Sequence, residues 1–283
     1  MPEFDQDTNI CVIGLGWLGQ PLASHFLAKG AKVFGTTTSI GKNQKLKEQK
    51  IDCALFNLYE GGANALPNSF FNNSHLILNI PPGRNNLDGA AYTANMMSLI
   101  DHAFECGLKQ LVFISTTSVY GDSEGDITNR SARAPQTTSA VAHCNIEDHC
   151  IQNYSKRVCI LRPSGLVGAN RHPAISLSGK AGIALGNNPV NLVHRDDVIS
   201  AIDAIISKNI VQKALNLSSL EHPCRSDYYT WCAQQLGLRI PLFERDERPP
   251  SAITSKKIRA QETYAILGIK PKYPSPYDML SVL

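Results

Sequence analysis

VIGLGWLGQPLA, residues Val12–Ala23, is the stretch on which the fold turns. It holds Gly-x-Gly-x-x-Gly at Gly14, Gly16 and Gly19. An apolar run, Asn9–Gly14 (NICVIG), comes just before it, and Leu18, Leu22 and Phe26 recur at helical spacing through and after it. The first run reads as a buried strand. The second reads as an amphipathic helix, Trp17–Lys29, stopped by Gly30, with Pro21 near the first turn where a missing N–H is tolerated. In that context the glycines have separate tasks. Gly14 permits a tight turn, Gly16 lets backbone approach a pyrophosphate on the helix N-terminus, and Gly19 lets helix and strand pack closely. Trp17 and Leu18, inside the motif, are expected against the same group. A bare match would only shape a turn; the strand before and the helix after make it a dinucleotide site.

The same alternation continues outward. Lys32–Thr37, Cys53–Leu58, Leu76–Ile80, Gln110–Ser115 and Arg157–Leu161 read as further strands, several of them apolar throughout, as strands covered on both faces are. Ala90–Cys106, with Asp88 near its start and Gly107 beyond its end, and Ala140–Tyr154 read as helices. Strand–helix–strand order of this kind predicts an α/β protein: a Rossmann fold with a doubly wound parallel sheet. Later, Pro163–Asn188 is rich in Gly, Ser, Asn and Ala and reads as irregular. Asp197–Ser207 and Ser226–Leu236 read as helices, Ala214–Leu217 as a strand and Pro241–Pro250 as a loop. The expected division is a nucleotide-binding domain over 1–165, continued by about 190–217, and a small C-terminal substrate lobe from 166–189 and 218–283, with a cleft between them.

Composition narrows the function classes. The 283 residues are 43% hydrophobic and carry a net charge of +3. That charge is too small and too evenly spread for a nucleic-acid partner, and no basic amphipathic segment or long apolar run points to a membrane. The acidic, polar start MPEFDQDTN lacks the features of a signal peptide, so a cytoplasmic location is expected. None of the eight cysteines forms a Cys-x-x-Cys pair, and Cys11, Cys53 and Cys159 fall in strand-like runs, which suits small buried hydrophobes in a reducing compartment. His143, Cys144, His149 and Cys150 crowd one helix but at spacings that point them several ways, so no metal is expected.

The end of the second strand addresses the choice of cofactor. An NAD site usually places Asp or Glu there for the ribose 2′-hydroxyl. Here the segment is GTTTSIGKNQK, Gly35–Lys45, and no acidic residue occurs between Asp7 and Glu48. Thr37, Thr38 and Ser39 offer hydroxyls and Lys42 a positive charge, a set suited to a 2′-phosphate; the alternative is that Lys42 and Lys45 are solvated helix residues. NADP is the expected cofactor, with NAD the alternative.

Four more segments, in order, resemble the extended short-chain dehydrogenase/reductase superfamily, in particular its NAD(P)-dependent sugar-nucleotide epimerases and dehydratases. They are ISTTSVYG (Ile114–Gly121), LRPSGLVG (Leu161–Gly168), HRDDV (His194–Val198) and the C-terminal SKKI, LG and YPS (Ser255–Ile258, Leu267–Gly268, Tyr273–Ser275). With the glycine motif they span nearly the whole chain. The resemblance implies that LNIPPG (Leu78–Gly83) walls the cofactor with Ile80, Pro81 and Pro82, and that Ser115, Pro163 and Ser164 line it further along. It implies a homodimer and a small-molecule substrate, such as a nucleotide sugar. It also implies a catalytic Ser or Thr, which falls at Thr116, and a Tyr-x-x-x-Lys pair, which is absent: no tyrosine has lysine four residues on. Registered on Glu147, the helix PQTTSAVAHCNIEDHC (Pro135–Cys150) puts Ser139 at the tyrosine place and His143 at the lysine place. Either Thr116, Ser139 and His143 form a reacting constellation, with the imidazole as base, or the pair is lost and His143 is an ordinary helix residue. Thr117 and Ser118 replace the Asp–Glu pair of the dehydratases, which disfavours water elimination. The reading is an oxidoreductase or epimerase of atypical type; the alternative is an NADP-binding regulatory or redox-sensing protein without turnover.

Overall fold

The computed structural model describes residues 4, 8–49, 51–62, 65–83, 88–245 and 255–282. Its centre is a seven-stranded sheet built from β1 (Asn9–Ile13), β2 (Lys32–Thr37), β3 (Asp52–Leu55), β4 (Ser74–Leu78), β5 (Gln110–Ile114), β7 (Val158–Pro163) and β10 (Lys213–Leu217), in the order β10-β7-β5-β4-β1-β2-β3. β1 pairs in parallel with β2 and β4, β2 with β3, β4 with β5, and β5 with β7. The order reverses direction between β1 and β4, which is where an open α/β sheet leaves a crevice at its strands' carboxyl ends. Ile13 registers with Leu78, so Gly14 and Asn79, the next residue on each strand, flank that crevice.

Two compact units divide the chain. The first holds 1–119, 135–161 and 202–214. Ile10, Cys11, Val12 and Ile13 of β1 are wholly buried, which is why the run is apolar without alternation. α3 (Gly89–Glu105) lays Tyr92, Met96, Leu99, Ile100, Ala103 and Phe104 on the sheet at helical spacing, and α4 (Thr138–Tyr154) adds Ala142, Ile146 and Cys150 to the same core. α1 (Gly19–Ala28) buries Leu22, Ala23 and Phe26. It starts two residues later than periodicity suggests, because 15–18 form the turn that carries the motif. Asp88 caps α3, its carboxylate accepting from the Ala91 N–H at 2.9 Å. α2 (Ile40–Glu48) buries only Leu46, so it gave the sequence no periodic apolar signal.

The second unit holds 120–134, 162–201 and 215–283; β7 and β10 cross the division. Its core is aromatic, with Tyr228, Tyr229 and Tyr273 beside Val167, Leu192 and Met279. Two small parallel pairs lie within it: β6 (Asp126–Ile127) with β11 (Lys257–Ile258), and β8 (Gly165–Val167) with β9 (Leu192–His194). β8 and α5 (Pro173–Leu177) both fall inside the stretch 163–188 expected to be irregular, since each is too short to show a period. α6 (Arg195–Ser207) and α7 (Arg225–Gln235) stand within a residue or two of expectation. Of the loop expected at Pro241–Pro250, residues 246–250 lie outside the described residues. Among the described residues, no helix is long and apolar enough to cross a membrane.

Candidate functional site

The glycine turn is built by exclusion. Gly14 has φ +103°, and a Cβ there would stand 2.4 Å from the Asn79 carbonyl oxygen. Its N–H donates to Thr36 Oγ1 at 3.1 Å, and its carbonyl accepts from Asn79 Nδ2 at 3.3 Å and from the Gly16 N–H at 2.8 Å. A Cβ on Gly19 would fall 2.1 Å from the Gly14 oxygen, so only glycine lets α1 sit this close to the turn. Leu15 anchors the turn from below; it is buried, and it requires Gly35, whose Cβ would meet Leu15 Cδ1 at 2.4 Å. Gly16 is the opposite case: it is exposed, and a Cβ there would meet nothing within 4 Å. The open backbone of Gly16 lies at the start of α1, whose first turn carries no acidic residue. The helix dipole at that end favours an anion. Trp17 is half-buried, while the Leu18 side chain is in the core and leaves only its backbone for a ligand.

Beyond β2 the hydroxyls are differently placed. Thr37 is buried and its Oγ1 accepts from the Ser39 N–H at 3.3 Å. Thr38 and Ser39 are exposed, and Ser39 caps α2 by accepting from the Lys42 N–H at 3.3 Å. Lys42 is half-exposed one turn into α2, and that first turn holds no acidic residue. Across the crevice, Ile80 packs on the main core and its carbonyl accepts from Tyr92 Oη at 2.8 Å. Pro81 is exposed and Pro82 half-buried; the loop then runs into 84–87, outside the described residues.

The candidate catalytic residues divide by burial. Thr116 is half-exposed at the end of β5, its Oγ1 accepting from the Ser118 N–H at 3.1 Å. Ser139 is half-exposed in the first turn of α4, which Thr137 caps at 3.1 Å to the Ala140 N–H. His143 is buried: its ring stacks on Phe113 at 5.6 Å and meets Tyr92 edge-on at 6.1 Å. Burial pushes its pKa down to about 4, against the opposing charge of Glu147, so the imidazole is neutral near pH 7. Its Nδ1 is buried with no hydrogen-bond partner among the described residues. Ser115 is buried and donates its hydroxyl to Glu147 Oε1 at 2.6 Å, which occupies the group expected to face a cofactor.

In the second unit, Pro163 ends β7, and buried Ser164 donates its hydroxyl to Ser218 Oγ at 3.0 Å. Arg162 is buried and donates to Tyr120 Oη at 2.7 Å, which in turn donates to Asn216 Oδ1 at 2.7 Å, so it belongs to an internal network. Asp197 does not cap its own helix; its carboxylate accepts from the Lys272 and Tyr273 N–H groups at 2.6 and 3.2 Å. Lys256 donates to the Gly121 carbonyl, and burial lowers its pKa.

Three contributors escaped the sequence reading. Thr36 and Asn79 hold the glycine turn, and Glu147, used there only to fix a register, is a wholly buried partner of Ser115. Asn79 had a visible signal, a polar residue directly ending an apolar strand at the crevice.

Residues 10–218 match the model of the family described as NAD dependent epimerase/dehydratase. Protein YeeZ of Escherichia coli K12 is 30% identical over 279 residues, covering 96% of this chain and 98% of its own. Among solved structures, UDP-glucuronic acid 4-epimerase from Bacillus cereus, in complex with NAD, superposes with a TM-score of 0.78 at 19% identity, covering 97% of this chain and 94% of that one. UDP-N-acetylglucosamine 4-epimerase from the same organism gives 0.76 at 15%, covering 97% and 98%. At such identities these two establish likeness of fold.

Proposed function

The chain belongs to the NAD-dependent epimerase/dehydratase family, and from that premise we propose that it is an NAD(P)-dependent oxidoreductase or epimerase, preferring NADP, that acts on a hydroxyl-bearing carbon of a nucleotide sugar or a smaller polar substrate. The observation that carries the reading is the Gly14–Gly16–Gly19 turn at the sheet's switch point, closed by backbone at Gly14 and Gly19 and open at Gly16. That shape fits a pyrophosphate held by Gly16, Trp17 and the backbone of Leu18. The exposed hydroxyls of Thr38 and Ser39, with Thr37 beneath and Lys42 beside them, suit a 2′-phosphate at an acid-free helix start. Ile80, Pro81 and Pro82 would wall the far side. When bound, the nicotinamide accepts or returns a hydride.

In this reading Thr116 holds the substrate oxygen, Ser139 relays its proton and His143 receives it. A buried imidazole with an unpartnered Nδ1 has a vacant acceptor or donor, and the cost of leaving it so is about 1–3 kcal/mol. Hydride transfer is tested in both directions, with NADPH deuterated at its transferable position and a panel of keto sugars and small ketones, and with oxidised cofactor and a panel of nucleotide sugars deuterated on their ring carbons. Deuterium passed between cofactor and substrate, or an epimerised sugar, supports the reading; neither, with the cofactor bound, removes it. The burial of His143 favours a second reading, cofactor binding without turnover. Under that reading the cofactor's redox state changes partner binding, and the deuterium experiment stays blank.

A further inference from the structure

Among the buried ionisable groups that the reading above leaves unused is a carboxylate on the helix that carries Ser139 and His143. Glu147 is wholly buried on α4, one turn beyond His143 and two beyond Ser139, so the three share a helix face. Its Oε1 accepts from Ser115 Oγ at 2.6 Å, and Ser115 directly precedes Thr116. One carboxylate therefore ties the strand end that carries one candidate reacting residue to the helix that carries the other two. A carboxylate sunk in a core is costly unless its surroundings answer its charge.

Neighbouring elements bring further groups to this part of α4. β5 presents Phe113 and Ser115. From α3 come Tyr92, which burial holds protonated, and Asp101, which accepts from His149 Nε2 at 2.6 Å and Tyr154 Oη at 2.7 Å. From α4 itself comes Cys150, whose thiol burial and Glu147 push up to about 12. The imidazole of His143, one helical turn before Glu147, is a basic group on the same face; burial opposes its protonation and Glu147 favours it.

We propose that Glu147 is a positioning residue: through Ser115 it fixes Thr116 relative to Ser139 and His143, and its carboxylate is the counter-charge for a proton carried by the His143 imidazole. The proposal rests on the assignment of those three residues as the reacting groups. As a substrate alcohol becomes a carbonyl, its carbon gives the hydride to the nicotinamide and its O–H proton passes to the imidazole. The imidazolium then stands beside a carboxylate, and the pair has no net charge. In the reverse direction the imidazolium returns the proton to the alkoxide oxygen.

The test is histidine NMR on the full-length protein, with His143 assigned by its loss in His143→Asn. As pH falls from neutrality, His143 is expected to protonate while the chain is folded, and the Glu147 carboxyl carbon of the unsubstituted protein to shift in step. In Glu147→Gln, whose amide oxygen can still accept from Ser115, proton affinity at His143 is expected to fall at least about tenfold, and Glu147→Asp to restore most of it. A His143 titration that is the same in Glu147→Gln as in the unsubstituted protein overturns the proposal. So does an imidazole that stays neutral until acid unfolding, or a Glu147 carboxyl signal that ignores the His143 transition. The last two are read in the unsubstituted protein, where through-bond NMR assigns His143 even if His143→Asn does not fold. None of these readouts needs cofactor or turnover, so failure to bind NAD(P) would sink the functional reading separately.

Discussion

Gly14 and Gly16 stand two residues apart and answer to opposite demands. Gly14 combines positive φ with a carbonyl 2.4 Å from where a Cβ would sit, so Gly14→Ala is expected to destabilise the protein by roughly 2–4 kcal/mol and to lose cofactor with the turn. Gly16 faces open space, so Gly16→Ala should leave stability within about 0.5 kcal/mol while weakening cofactor binding. Urea denaturation beside calorimetric binding separates the two; equal stability losses in both variants would contradict the cradle. The motif's spacing revealed which glycines matter. Thr36 and Gly35 stayed hidden because each acts through a partner distant in sequence, Thr36 on Gly14 and Gly35 on Leu15, while Asn79 was visible as a polar strand end but not as the partner of Gly14. Glu147 was legible as a residue and illegible as a role for the same reason.

At the scale of elements, the legible ones are those that bury a whole face. β1 is buried throughout and α3 sets six side chains on the core at helical spacing, so their patterns survive in the sequence. α2 buries Leu46 alone, and β8, α5, β6 and β11 are too short for any period, so packing defines them and the sequence does not announce them. α2 still carries a prediction of its own. Ser39 is both its cap and a proposed phosphate ligand. Asp caps about as well as Ser, so Ser39→Asp should leave the melting temperature unchanged. It should weaken NADPH binding through charge repulsion and spare NADH. Equal weakening of both nucleotides would place the 2′-phosphate elsewhere.

For the whole molecule, the sheet order and the parallel pairing follow from the strand–helix alternation. The second unit is harder to foresee, because its pairings join segments far apart, as β6 does with β11. Buried histidines in both units set the acid behaviour of the whole chain. Burial lowers His143 and His172 from 6.5 to about 4, and His75, His194 and His222 shift in the same direction. A depressed folded-state pKa means that the unfolded chain binds protons first as pH falls. Stability is therefore full above about 6.5 and declines toward about 4. Between pH 7 and about 5 the loss should be on the order of 2 kcal/mol for each of His143 and His172. Urea midpoints across that range measure it, and His143→Asn should flatten the slope by its share. A slope that His143→Asn leaves untouched would show that this imidazole is not buried and neutral.

The cradle's assignment to an NADP-type dinucleotide is tested most directly by calorimetric titration of the purified protein with NADPH and with NADH, alongside Lys42→Glu. The account predicts that NADPH binds at least about tenfold more tightly than NADH, a difference of about 1.4 kcal/mol, and that Lys42→Glu abolishes the preference while NADH still binds. Failure of both nucleotides to bind the unsubstituted protein would contradict it.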